Sequence, residues 1–378
     1  MFCEQEKTMK MTLHSEIRRI LNENQIVRNA SRKEFLGFYI PALVQSNSVQ
    51  FYKTAKFLNA EVKIQSNMTR IQDFYREVEI DYDFVAVLLL TLLPKNKKLR
   101  ICIDRTEWDF GKTQINILMI LVGHGDFQIP FYWEMLENNS GNSNSGDRID
   151  LLEKVFKIID KKRIGLIVAD REFIGHKWLK WIKDQGLTFC VRVPKSHHIH
   201  RLNGEILKAD ELSKSFPNGT YLVDCMVDNV WGNVYIKPLL DGDILFLFGN
   251  CQPKFLAQLY RKRWSIEVFF QNIKTRGFNL EDTHLQELQR IRKLIAMVSI
   301  AYAFCVSLGI YINQKIKKIK VNVDNYKINS LFRTGMNMIF ENFRKPELIE
   351  RNLTPIFKIF TRFVVRKLQL FKYQILVV

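Results

Sequence analysis

Residues 99–104 read Leu-Arg-Ile-Cys-Ile-Asp and residues 164–170 read Ile-Gly-Leu-Ile-Val-Ala-Asp, two apolar runs that each finish on an aspartate. Short apolar runs rich in β-branched residues predict buried strands. A carboxylate at a strand end projects from one edge of a sheet, where a ligand can reach it. Aspartate at a strand end also serves as a plain helix N-cap, so neither residue decides anything alone. Around them, runs at 99–104, 114–122 and 129–133 succeed one another with short connections and predict an antiparallel meander. An Asn/Ser/Gly-rich linker at 138–146 follows. The pattern then predicts a helix over 148–160, a strand over 164–169, a helix over 176–184 and a strand over 189–193.

The order βββαβαβ predicts an α/β fold with a mixed five-stranded sheet and helices on both faces. A ribonuclease-H-like (RNase H-like) core has this order, with one carboxylate on its first strand and another at the end of its fourth. The first part of that core is assigned to 96–194. Residues 195–250 carry turn signals (Asn203-Gly204, Pro217-Asn218-Gly219, Trp231-Gly232-Asn233, Asp241-Gly242) between β-like runs, and read as a β-rich insertion. The second core part, 251–313, opens on one long helix from Pro253 to Arg276, stopped by Gly277.

The flanks are helical: an N-terminal domain at 1–95, expected to bind DNA, and a basic region at 314–378. Within 49–78, two short helices surround a turn, with Ser66 or Asn67 as the second helix's cap. Two readings stand: a helix-turn-helix presenting Asn67, Thr69, Arg70 and Gln72 to a DNA groove, or an ordinary helical bundle.

Composition narrows the function. The 378 residues are 47% hydrophobic with 28 Phe, enough for a large core, and 57 basic against 39 acidic residues give +18. Such charge calls for a polyanion or a membrane surface, or is a solvated lysine-rich exterior. The six cysteines include no C-x-x-C pair, which argues against a zinc ribbon or disulfide framework and fits a reducing cytoplasm. The polar N-terminus is not a secretory signal. Residues 294–312 are as long and apolar as a membrane span, but Ser299, Tyr302, Ser307 and Gly309 dilute them, and a buried core helix is expected.

The chemistry gathers on the 253–276 helix. At about 100° per residue, Tyr260, Arg263, Glu267 and Lys274 fall within about 60° of one another, beside an apolar stripe. Glu267 lies among Trp264, Ile266, Val268 and Phe269, a costly place for an unpartnered charge. Converging carboxylates of this kind bind Mg²⁺ or Mn²⁺, and two such ions support phosphodiester exchange.

The spacing Y-x2-R-x3-E-x6-K resembles the signature of the insertion-sequence-four family of bacterial DDE transposases. Asp104 in I-D-R-T-E-W and Asp170 in V-A-D-R-E-F-I-G resemble that family's other two motifs, in the same order, over roughly residues 99–313. The resemblance implies an RNase H-like transposase with Asp104, Asp170 and Glu267 as catalytic and metal-binding residues for two Mg²⁺ or Mn²⁺ ions. It implies Tyr260, Arg263 and Lys274 as DNA contacts, double-stranded DNA as partner, and a homodimer pairing two element ends. Arg105 and Arg171 orient carboxylates or phosphates, or neutralise the site. Trp231 stacks on a flipped base or is a packed β-domain tryptophan. His197, His198 and His200 are expected in a solvated loop, and Lys315–Lys320 is a DNA-backbone patch or a solvated face. No membrane association is expected, and the protein would work in the bacterial cytoplasm at the nucleoid. The rival functions are a metal-dependent nuclease on the same fold and a non-catalytic DNA-binding protein.

Overall fold

The computed structural model describes residues 14–110, 113–136, 141–323, 327–344, 361–362 and 364–369. The chain divides into two compact units, Asn96–Phe269 and Met1–Lys95 with Phe270–Val378.

The first unit is built on strands β1 (Leu99–Phe110), β2 (Thr113–His124), β3 (Phe127–Met135), β4 (Ile164–Ala169) and β5 (Phe189–Arg192). Helix α6 (Ser145–Ile158) joins β3 to β4, and α7 (His176–Asp184) joins β4 to β5. The βββαβαβ order is therefore observed. β1–β2–β3 pair antiparallel, while β4 runs parallel to β1 and β5 parallel to β4. Central strands covered on both faces are largely apolar, and β2 is buried continuously from Ile115 to Val122 with Asn116 as the one polar residue of the run. Pro130 sits in β3 at a register shift, on the sheet's edge strand, where its missing N–H costs little. Asn144 caps α6 in a reciprocal box with Asp147.

Three expectations are corrected here. The sheet has ten strands, in the order β3-β2-β1-β4-β5-β10-β9-β8-β6-β7. The stretch expected as an insertion supplies β6 (His198–Arg201), β7 (Ile206–Lys208), helix α8 (Ala209–Lys214), β8 (Thr220–Val227), β9 (Val230–Pro238) and β10 (Ile244–Gly249). Because β10 pairs antiparallel with β5, these strands extend the same sheet, and the boundaries placed at 194 and 250 fall inside one compact unit. Trp231 lies within β9 rather than in a turn. The turn is Asp228-Asn229, both at positive φ (47° and 57°), the geometry of a two-residue hairpin. Of the histidines, His197 lies in the turn before β6, whereas His198 and His200 are strand residues of β6 and not in a loop.

The expected helix over 253–276 is two helices, α9 (Pro253–Arg261) and α10 (Trp264–Lys274). The break has a local cause. Ser265 Oγ donates to the Lys262 carbonyl at 2.7 Å, and Cys102 Sγ approaches the same oxygen at 3.8 Å, so side chains satisfy a carbonyl that a continuous helix would have used.

The other unit is helical: α1 (residues 14–22), α2 (Ala30–Ser46), α3 (Phe51–Leu58), α4 (Ile64–Glu77), α5 (Tyr82–Thr91), α11 (Leu288–Tyr311) and α12 (Leu331–Arg344). Helix α4 begins at Ile64 after Lys63, so neither Ser66 nor Asn67 caps it. Asn67 is buried, and its Nδ2 donates to the carbonyls of Ala55 (3.1 Å) and Asn59 (2.7 Å), tying the α3–α4 turn. It is therefore not presented to a groove, whereas Thr69, Arg70 and Gln72 are exposed. Helices α11 and α12 touch backbone to backbone: a Cβ on Gly309 would lie 1.9 Å from the Leu331 carbonyl oxygen, and one on Gly335 1.9 Å from that of Cys305. Among the described residues, Leu288–Ile316 is the one helical stretch long and apolar enough to cross a membrane, and 83% of its apolar window is buried.

Candidate active site

Strand register brings the two aspartates together. Parallel pairing of β1 with β4 ends at Ile103↔Ala169, so the next residues, Asp104 and Asp170, emerge side by side at one end of the pair. β4 stops there, and Asp170–Phe173 turns back with Phe173 N donating to the Asp170 carbonyl at 3.0 Å. β1 continues to Phe110 on β2 alone, so Asp104 lies at a fork in the sheet instead of at a strand end.

The α9–α10 joint supplies the rest. Helix α9 packs across β4, β5, β9 and β10, with Leu256 buried beneath it. Tyr260 in its last turn donates from Oη to Asp170 Oδ1 at 2.9 Å. Arg263, in the joint, reaches Asp104 Oδ2 (3.3 Å) and Asp170 Oδ2 (3.7 Å) through Nη1, and Glu267 Oε1 through Nη2. Its side chain is 11% exposed. Three carboxylates distant in sequence thus converge on one guanidinium. The helix break leaves this meeting intact, because Tyr260, Arg263 and Glu267 occupy the last turn, the joint and the first turn.

Burial lifts the Asp104 carboxyl to about 7, against the pull of the Arg105 backbone N–H and Arg263, and with Asp170 and Glu172 adding to the rise. Burial also raises the Tyr260 phenol. For Arg263, burial works to lower the guanidinium, but Tyr260, Asp170, Asp104 and Glu267 together outweigh it and hold the cation firmly charged.

Of the other expected residues, Arg105 donates its backbone N–H to Asp104 Oδ1 (2.8 Å) and aims its guanidinium elsewhere, at Glu107, at Glu172 Oε2 (3.3 Å) and at Asn116 Oδ1 (3.2 Å). Arg171 is exposed. Lys274 belongs to the other compact unit, where it pairs with Glu281 at 2.8 Å. Trp231 is 43% exposed, four places from β1 in the strand order, with its carbonyl accepting from Lys183 Nζ at 3.0 Å. His197, His198 and His200 line a cavity of about 430 Å³ with Asp228 and Asn229.

Two residues escaped the sequence reading. Arg148, buried in α6, donates to Ser143 Oγ (2.9 Å) and to the Glu172 carbonyl (2.9 Å), and sits 4.8 Å over the Phe173 ring, pinning the loop after Asp170. Burial lowers it to about 10. Glu172 ties that loop to β1 through Arg105, and burial raises its carboxyl. Only a buried arginine's need for carbonyl partners could have flagged Arg148, and that need leaves no spacing in the sequence.

Among the described residues, no group of three or more His, Cys, Asp or Glu is drawn close enough to hold a metal ion, because Arg263 stands between the carboxylates. The donor set nevertheless fits a hard dication: the three groups offer oxygen alone. Burial raises the Asp104 carboxyl even with Arg263 beside it, and a dication would favour its charged form.

A family model described as the transposase DDE domain matches residues 95–304, more than half of the chain. The chain belongs to the transposase DDE-domain family. The family is one of transposases, nuclease-type enzymes whose partner is DNA. This DDE domain spans the whole ten-stranded sheet, both aspartates and the α9–α10 joint. No curated protein matches the chain. Among solved structures, endonuclease V from Bacillus subtilis is similar at 8% identity, over 57% of this chain and 96% of its own, with a TM-score of 0.26, a likeness too slight to bear on the fold or chemistry of this DDE domain.

Proposed function

We propose that the protein is a cut-and-paste DNA transposase of the insertion-sequence-four family, with Asp104, Asp170 and Glu267 as its catalytic carboxylates on an RNase H-like core. The observation that carries this reading is the convergence of all three on the Arg263 guanidinium. Groups that meet around one cation of the chain are groups that can meet around another.

The three carboxylates would hold two Mg²⁺ or Mn²⁺ ions, which when bound lower the pKa of a water or 3′-hydroxyl and stabilise the charge on the phosphate in flight. The chain's own residues do the rest. Tyr260 fixes Asp170 through its 2.9 Å hydrogen bond. Arg263 balances the three carboxylates, and with metal bound there its fork of donors would be free to hold the scissile phosphate. Arg105 and Glu172 lock the two aspartate-bearing segments to each other. Water attacks the phosphodiester at the element's end and leaves a 3′-hydroxyl. That hydroxyl attacks the opposite strand, displacing the flanking strand's 3′-oxygen and giving a hairpin; a second water opens the hairpin and regenerates the 3′-hydroxyl, which then attacks target DNA and displaces a 3′-oxygen there. The helices of 1–95 read the element's ends, Lys274, Arg171 and Trp231 add DNA contacts, and a homodimer in the bacterial cytoplasm pairs two ends.

Incubation with the DNA flanking its own coding region and Mn²⁺, with the cut ends mapped, tests this reading. Defined cuts at the element's boundaries followed by joining are expected. Cutting without joining would make it a nuclease, and duplex binding with no cutting a DNA-binding protein.

A further inference from the structure

One buried amide links two of the segments that carry the carboxylates. Gln128 on β3 is 3% exposed, and it pairs across the ladder with Gly123 of β2. A Cβ on Gly123 would lie 2.6 Å from Gln128 Cγ, so the side chain can cross β2 because residue 123 has none of its own. Beyond β2, Gln128 Nε2 donates to Cys102 Sγ of β1 at 2.9 Å, and Gln128 Oε1 meets Ser265 Oγ. The thiol approaches the Lys262 carbonyl at 3.8 Å, and Ser265 Oγ lies 2.7 Å from that same oxygen. Four polar groups thus close a ring at the α9–α10 joint. Cys102 stands two positions before Asp104 on β1, Ser265 two before Glu267 in the first turn of α10, and Lys262 directly before Arg263.

We propose that Gln128 is a positioning residue, a strut across β2 that sets the spacing between the strand carrying Asp104 and the joint carrying Arg263 and Glu267. It touches none of the carboxylates and acts through Cys102 and Ser265. A buried amide costs free energy unless both its ends are bonded, and here both are. An amide offers a donor and an acceptor at a fixed separation, so it holds a thiol and a hydroxyl at once, where an aliphatic side chain of similar volume would hold neither. The inference rests on the reading of Asp104 and Glu267 as metal-holding carboxylates and deepens it.

Two readouts on the full chain separate the strut from that reading. One is Mn²⁺ affinity by electron paramagnetic resonance at pH 8. The other is the fluorine NMR signal of 5-fluorotryptophan at Trp264, the exposed first residue of α10, recorded without metal and assigned by its loss in Trp264→Phe. Gln128→Met removes both bonds at similar volume, and Ser265→Ala opens the ring from the joint side. Each is expected to move the Trp264 signal and to weaken Mn²⁺ binding about tenfold, the lower end for residues that hold ligands in place, with duplex affinity unchanged. Ser265→Thr, which keeps the hydroxyl, should hold both readouts at wild type. The double variant should be no weaker than the worse single one, since either change opens the same ring. An unmoved Trp264 signal in Gln128→Met overturns the proposal, as does unchanged Mn²⁺ affinity where the wild type binds the ion. If that variant does not fold, the same results in Ser265→Ala overturn it. So do losses that simply add in the double variant, or an equal loss in Ser265→Thr. A wild type that binds no Mn²⁺, with Trp264 still moved by both variants, would sink the catalytic reading and leave the strut standing.

Discussion

Asp104→Asn is expected to make the metal-free protein more stable, and increasingly so as pH rises. The unfolded chain releases the Asp104 proton near the ordinary 3.8, whereas the fold holds it until about 7. Between those values the folded state carries the extra proton, so the stability tied to this residue is intact below about 4 and is lost as pH rises toward 7. At about 1.4 kcal/mol per tenfold change in ionisation, the full cost above pH 7 is at most about 4 kcal/mol. With the side chain 16% exposed and Arg263 beside it, about 2 kcal/mol is a fair expectation. Asparagine copies the neutral acid and avoids that cost. Urea denaturation in EDTA should show a gain of about 2 kcal/mol at pH 8 and less than half of that at pH 5. DNA cleavage should vanish in the same variant. A loss of stability at pH 8, or a gain that does not grow with pH, would refute the claim that this carboxylate is held in place at the fold's expense.

Three further outcomes follow from the same geometry. With limiting Mg²⁺, cleavage by the wild type should rise with pH through about 7, because the proton on Asp104 competes with the metal; a flat profile from pH 5 to 8 would contradict this. Tyr260→Phe removes the hydrogen bond to Asp170 and should cost about 1–2 kcal/mol in urea denaturation, with weaker cleavage but unchanged duplex affinity. Asn67→Ala strands the Ala55 and Asn59 carbonyls and should cost about 2 kcal/mol, whereas Thr69→Ala, on the exposed face of α4, should leave stability within about 0.5 kcal/mol.

Much of the fold is legible in the sequence where the period is unambiguous. Ile164–Ala169 and His176–Asp184 carry clean apolar patterns, and their bounds match the structure. The meander is legible too, but its first strand reads too short, since Arg105, Glu107 and Asp109 interrupt the apolar pattern while β2 still pairs with that half of β1. The continuous ten-stranded sheet is hidden because β5–β10 pairing joins residues more than fifty positions apart and leaves no local trace. The α9–α10 break is hidden as well: its cause is a serine hydroxyl and a cysteine from β1, with no Pro or Gly to announce it. Helical spacing nevertheless brings Tyr260, Arg263 and Glu267 together correctly, because the break lies between their turns. Lys274 closes the same helix α10 that carries Glu267, and it pairs with Glu281.

Manganese binding followed by electron paramagnetic resonance tests the central claim most directly. The wild type should bind Mn²⁺, and Asp104→Asn, Asp170→Asn and Glu267→Gln should each weaken that binding at least tenfold at pH 8. Wild-type affinity in any one of the three variants would show that these carboxylates do not share a metal.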